Sequence, residues 1–227
     1  MSEPTPDDFA IPVSVVSAHG LLHGRLALAE NACGLVVLAH DGLAQDARNE
    51  AVARLFHVAG LSTLSVDLLT ENEERFSDVH YNVPLLAKRL LDFLSLVKNR
   101  MQLGELPTLP VGLWAADATA PVAVRVAALR DHDIAAIVCR GGLIDLAGML
   151  YLRSLDSPLL VLLDASDAQR IASNTRALQE IGCAKELKLK TKASADGGTA
   201  DLEGATRDAS NWFVEHFKTG ASSPAEL

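Results

Sequence analysis

Short apolar runs alternate with segments of helical periodicity along most of this chain, and that alternation limits the folds open to it. Gly34-Leu-Val-Val-Leu-Ala39 is a continuous apolar run, the pattern of a strand covered on both faces. Residues 48–59 follow with helical periodicity and stop at Gly60, a typical helix terminator. Residues 61–66 form the next apolar run. Residues 83–97 then place Leu85, Leu86, Leu90, Leu91 and Leu94 on one helical face. The pattern continues with a strand over 109–114, a helix over 118–129, strands over 134–139 and 158–163, and a helix over 168–181. Leu187 and Leu189 mark a last strand, and a closing helix covers 202–217. Parallel strands need crossover connections, and helices supply them here. The spacing therefore predicts an α/β fold, a three-layer α/β/α sandwich around a mainly parallel sheet. Ahead of it, alternating residues 12–18 and 22–28 flank Gly20 and predict an antiparallel hairpin.

No break in composition divides the 227 residues, so one domain over 1–227 is expected, with an ordered core of about 10–218 between polar tails. Apolar residues make up 49%, enough for a sizeable core. The net charge of −9, with no cluster of Lys or Arg, argues against nucleic acid and anionic membranes as partners. No apolar run approaches the roughly 20 residues of a membrane span. The polar, acidic start does not read as a signal peptide. Cys33, Cys139 and Cys183 form no Cys-x-x-Cys pair, which argues against a zinc site or disulfide framework and suggests a reducing cytoplasm. No cofactor is implied: no Gly-x-Gly-x-x-Gly follows a strand, and no phosphate loop or His-Glu-x-x-His motif occurs.

In open parallel sheets ligands bind beyond the carboxyl ends of the strands. The polar residues there are His40-Asp41-Gly42, Asp67, Asp117, and Asp164 to Asp167. Together with Leu38-Ala-His-Asp-Gly42, residues 49–54, Ala59-Gly-Leu-Ser-Thr63, Asp67-Leu-Leu-Thr70, Leu85-Leu-Ala-Lys-Arg-Leu90 and Cys139-Arg-Gly-Gly142, they give an order and spacing that resembles the dienelactone-hydrolase-like branch of the α/β-hydrolases. The resemblance covers residues 23–216. It implies a Gly-x-Ser-x-Gly nucleophile elbow, an acid after a later strand and a histidine near the end.

The sequence departs from that pattern where the chemistry would sit. The elbow falls on Ala115-Ala-Asp-Ala-Thr119, which puts Asp117 at the nucleophile position and replaces both glycines. Threonine, being β-branched, is expected to crowd such a turn. The acid position falls on Asp167. The histidine position falls on Ala195, and no histidine lies between His132 and His216. By the same resemblance His40, Asp41 and Ala118 surround the oxyanion pocket, where the Asp41 carboxylate would oppose developing negative charge. Haloalkane dehalogenases and epoxide hydrolases use an aspartate nucleophile, but a base must then activate the water that cleaves their ester. A lost triad is therefore the reading taken: a pseudoenzyme, or a binder of a small-molecule ligand or partner. The alternative is hydrolysis of an ester, lactone or alkyl substrate by Asp117.

The remaining features read more plainly. Cys139 is expected to be a buried structural thiol. His80 is the one substitute base in reach of the expected pocket mouth. The run Glu71 to Glu74 reads as a solvated loop. Asp67, Asp117 and Asp167 could converge on a hard cation, but no metal is assigned. A third expectation is a plain structural or interaction domain, with a homodimer through the sheet edge or helices as one form of it. A phosphoribosyltransferase partner is conceivable by analogy with relatives that carry such a domain.

Overall fold

Among the described residues eight strands make one sheet, in chain order except that the third and fourth strands exchange places. The computed structural model describes residues 10–18, 20–42, 47–130, 132–191 and 199–220. β1 (Ile11–Ser17) and β2 (Gly20–Ala27) form the antiparallel hairpin, and β2 continues antiparallel onto β4 (Ser62–Asp67). From there β3 (Leu35–His40), β5 (Val111–Ala116), β6 (Ala136–Arg140), β7 (Leu159–Asp164) and β8 (Lys185–Lys190) run parallel.

All six residues of β3 are buried. The pleat divides them between two cores, because successive side chains point to opposite faces. Val36 and Leu38 meet Val52 and Phe56 of α1 (Ala47–Val58), with Phe213 and Phe217 of α6 (Thr199–Gly220). Leu35, Val37 and Ala39 join the core built on α2 (Val83–Gln102), α3 (Ala120–Leu129) and α5 (Ala168–Gln179). The three layers predicted from the alternation are therefore present. Gly34 and Gly112 let α6 lie directly on the sheet. A Cβ on Gly34 would stand 2.1 Å from the Phe217 ring, and one on Gly112 would stand 2.6 Å from Phe213.

The boundaries differ from expectation in instructive ways. β5 begins at Val111 rather than residue 109, since Pro110 has no N–H to give the ladder. Its carbonyl still accepts from Leu35. The next helix begins at Ala120 rather than residue 118, because Asp117–Thr119 forms a separate 3-10 turn. The 3-10 turn Ile144–Ala147 and the five-residue α4 (Met149–Arg153) are too short for periodicity to reveal. The exposed edge strand β8 carries Lys185, Lys188 and Lys190, a charge pattern that discourages further strand pairing. Among the described residues no helix is long and apolar enough to cross a membrane.

Candidate active site

β5 lies between β3 and β6, and the chain turns sharply at its carboxyl end. Ala116 is extended, at φ −127° and ψ 147°. Asp117 then takes φ +47°, a left-handed conformation that aspartate and asparagine tolerate better than most residues. The turn pushes the Asp117 side chain out above the sheet, where it is 70% exposed. The expectation that Thr119 would crowd this turn does not hold. Its buried hydroxyl accepts from the Ala116 N–H at 3.0 Å and lies 3.0 Å from the Ala39 carbonyl and 2.9 Å from the Ala116 carbonyl, either of which can take its proton. A hydroxyl thus ties the ends of β3 and β5 together at a position where the family pattern has glycine.

Two true glycines lie on the other side of the turn. Gly141 and Gly142, after β6, have φ +70° and +75°. A Cβ on Gly142 would stand 2.3 Å from the Asp117 carbonyl oxygen, and one on Gly141 would stand 2.6 Å from Asp117 Oδ1. Buried Asn174 of α5 secures this loop. Its Nδ2 donates to the carbonyls of Gly142 (3.0 Å) and Arg170 (2.9 Å), and its Oδ1 accepts from the Ile144 N–H at 3.3 Å.

Asp167 caps α5, with Oδ1 accepting from the Arg170 N–H at 2.9 Å. Its Oδ2 lies 3.4 Å from Arg170 Nε, while Arg170 Nη1 lies 3.7 Å from Asp117 Oδ1. One guanidinium therefore spans the two aspartates singled out from the sequence. The sequence reading missed Arg170, although a signal was there. A cation in the first turn of a helix opposes the helix dipole, so an arginine three residues after an aspartate cap needs carboxylate company.

The other sequence-derived residues fall into place around this group. His80 stands in a 3-10 turn (Val79–Tyr81) that packs beside the turn of Asp117. Its Nδ1 lies 3.2 Å from Asp41 Oδ2 and its Nε2 lies 3.1 Å from the Glu74 carbonyl. Burial pulls the His80 pKa down, but the Glu74 carbonyl and the Asp41 carboxylate outweigh it and raise it above the ordinary histidine value. Both ring nitrogens are engaged, so His80 does not stand as a spare base, and Asp41 has an imidazole to face. His40 is buried at the end of β3, and half-buried Ala118 lines a cavity with Asp117. Ala195 lies outside the described residues. Cys139 is buried, and burial pushes its thiol up to about 12, which suits a structural side chain and not a nucleophile. Asp67 ends β4 opposite His40. Among the described residues no group of three or more His, Cys, Asp or Glu side chains is placed to hold a metal ion. The three aspartates do not converge, and two of them turn to Arg170.

The expected solvated loop at Glu71 to Glu74 is corrected as well. Glu73 reaches inward to Arg89 of α2, which is 1% exposed. Arg89 Nη1 and Nη2 donate to the two Glu73 oxygens at 2.9 and 2.7 Å, and Nη1 also donates to the Leu68 carbonyl at 2.7 Å. Glu73 Oε2 accepts from the Thr70 N–H at 3.0 Å and from the Thr70 hydroxyl at 2.9 Å. The Arg89 hydrogen bond leads the causes that hold the Glu73 pKa at about 2 despite partial burial. This pair fixes the loop after β4 on which His80 rests.

Two cavities meet at Asp117 and Arg170. One, of about 260 Å³, has the mainly apolar walls of Tyr81, Val83, Pro121, Leu143 and Leu146. The other, of about 150 Å³, is polar and includes Arg140, Asp164, Lys190 and Asp201. A larger cavity of about 550 Å³ opens at the amino ends of β5 and β6, beside α2, and shares no residue with these two.

The strand order, the strained turn after β5 and the helices on both faces define an α/β-hydrolase fold. Comparison with solved structures agrees. A dienelactone hydrolase from Anabaena variabilis matches with a TM-score of 0.81 and 31% identity, covering 91% of this chain and 97% of that one. The chain belongs to the dienelactone hydrolase family. Est1E from Butyrivibrio proteoclasticus shares the fold, with a TM-score of 0.72 at 10% identity over 91% of this chain and 99% of that one. Among curated proteins, the Mycobacterium tuberculosis protein named "Putative phosphoribosyl transferase" in two strains is 34% identical over 210 residues, 90% of this chain. The match takes in 46% of that protein, so the chain spans about half the length of the curated relatives it matches. No protein-family model matches the chain.

Proposed function

We propose that this member of the dienelactone hydrolase family does not perform ordinary serine hydrolysis and that its site binds a small molecule. The observation that carries this reading is the Asp117–Arg170–Asp167 arrangement at the elbow. A carboxylate stands where a hydroxyl would attack, and its neighbour is a permanent cation. Arginine stays protonated and cannot act as a base. A serine triad needs a base to take the hydroxyl proton and return it to the leaving group. His80 holds Asp41 and the Glu74 carbonyl instead. Phosphoribosyl transfer, suggested by the name of the curated relatives, draws no support from the cations near the site. Arg140 faces Asp201, Lys190 faces Asp208, and Arg170 faces two aspartates.

Retention of φ +47° and the exposure of Asp117 favour a second reading, in which its carboxylate attacks an alkyl carbon. Strained backbone is often kept at functional sites. The attack would leave an enzyme-bound ester, whose hydrolysis needs an activated water. Two measurements separate the readings. Turnover of p-nitrophenyl acetate should stay at background in the wild-type chain. Intact mass after incubation with small lactones and alkyl halides should be unchanged. A covalent adduct that Asp117→Asn abolishes would establish the second reading. Asp117→Ser together with Ala195→His, which restores the family's order of nucleophile, acid and base, should give a small gain in esterase activity if residue 195 holds the histidine position.

A further inference from the structure

We propose that the pocket above Asp117 selects an organic cation: an ammonium or similar head group held at Asp117, with an apolar body lying along Tyr81, Val83, Pro121, Leu143 and Leu146. This rests on the small-molecule-binding reading of the site and specifies its ligand class.

Charge comes first. Arg170 is shared between Asp117 and Asp167, so that trio carries one net negative charge. The polar cavity behind it does not restore the balance. Arg140 faces Asp201, Lys190 faces Asp208, and Lys188 lies between Asp208 and Glu186. Each of these cations has a carboxylate partner, so none of them offsets the charge of the trio. Arg170 leans toward Asp167, whose cap and ion pair are both shorter than its 3.7 Å approach to Asp117. Asp117 is left with a distant partner and an open side. A desolvated head group donating to its oxygen would make the shorter contact.

Shape and surface point the same way. The 260 Å³ cavity that begins at Asp117 is walled mainly by apolar side chains, an environment suited to a hydrocarbon body. Tyr81 and Leu146 at its rim are 69% and 53% exposed, which is apolar surface a ligand can cover. The Tyr81 ring adds a face that attracts cations. A carboxylate ligand would meet Asp117 head-on and would have to win Arg170 from two aspartates.

The test is calorimetric titration of the full chain, at low salt to limit screening, with three probes of equal chain length: hexylammonium, 1-hexanol and hexanoate. Hexylammonium should bind about fivefold more tightly than 1-hexanol, the upper range for a partly exposed ion pair, and hexanoate least tightly. Asp117→Asn should remove that preference, and asparagine tolerates the positive φ, so the fold is kept. Arg170→Gln should strengthen hexylammonium binding, and Tyr81→Ala should weaken it by roughly two- to fivefold. Equal binding of hexylammonium and 1-hexanol, a preference for hexanoate, or an unchanged preference in Asp117→Asn would overturn the proposal. Ester turnover, measured on the same preparation, is judged separately. Activity would defeat the non-hydrolytic reading and leave the cation preference to the titration. Absence of both turnover and preference would defeat this proposal alone.

Discussion

Two guanidinium groups serve carboxylates on the same side of this sheet, and they do so in opposite ways. Arg89 is buried, grips Glu73 with two bonds of 2.7 and 2.9 Å, and uses a further bond on the Leu68 carbonyl. Arg170 is 42% exposed and divides itself between Asp167 at 3.4 Å and Asp117 at 3.7 Å. A buried guanidinium needs a counter-charge, because a charge without partners in a low-dielectric interior is costly; Arg89 meets that need through Nη1 and Nη2, while its buried Nε makes no hydrogen bond. The exposed one faces no such demand and gains little from each contact. The first arrangement therefore sets structure, and the second leaves a site that can reorganise around a ligand.

The largest expected effect is on the buried pair. Arg89→Ala should destabilise the fold by about 3 kcal/mol, the low end for breaking a buried pair, since Glu73 keeps some solvent contact and its Thr70 bonds. Denaturant unfolding monitored by tryptophan fluorescence measures this. A loss below about 1 kcal/mol would place Arg89 with ordinary surface ion pairs and remove one side of the contrast.

Acid should expose the same pair by another route. The folded-state pKa of Glu73 is lowered from 4.5 to about 2, so its ionised form favours the folded state. That contribution is complete above about pH 4.5 and is lost as the pH falls toward 2. Stability should decline across this window by up to about 1.4 kcal/mol per pH unit from this group. Glu73→Gln should lower stability at neutral pH and flatten that part of the profile. An unchanged slope between pH 4.5 and 2 would mean that other carboxylates govern acid unfolding.

The contrast between the pairs also shows what a sequence can reveal. The sheet, its hairpin and the main crossover helices were legible because burial on both faces writes continuous apolar runs such as Leu35 to Ala39, and amphipathic helices write 3.6-residue stripes. The turn at Asp117 was legible because a strand and a helix flank it closely. Side-chain partnerships were not. Glu73 looks like its neighbours Glu71 and Glu74 in sequence, and only the distant Arg89 makes it internal. Thr119 was misjudged for a related reason. Its branching was visible, but the Ala39 carbonyl that accepts its hydroxyl belongs to a strand 80 residues away. Arg170 fell between these cases, since its spacing from Asp167 was visible and its reach to Asp117 was not.

The smallest expected effect is at Arg170, and it decides what kind of site this is. Arg170→Gln removes a cation from two carboxylates that are 36% and 70% exposed. Such pairs contribute between roughly zero and 1 kcal/mol. Two features offset the loss. Asp167 still caps α5 through the backbone N–H of residue 170, which the substitution keeps. Removing a cation from the first helical turn also relieves an unfavourable interaction with the helix dipole. The net change in unfolding free energy should therefore lie within about 0.5 kcal/mol of zero. A double-mutant cycle with Asp117→Asn should give a coupling of similar size, because 3.7 Å is too long for a hydrogen bond. A coupling above about 2 kcal/mol would mean that Arg170 locks Asp117 as firmly as Arg89 locks Glu73. The carboxylate at the elbow would then be a structural counter-ion, closed to a ligand head group as well as to a substrate.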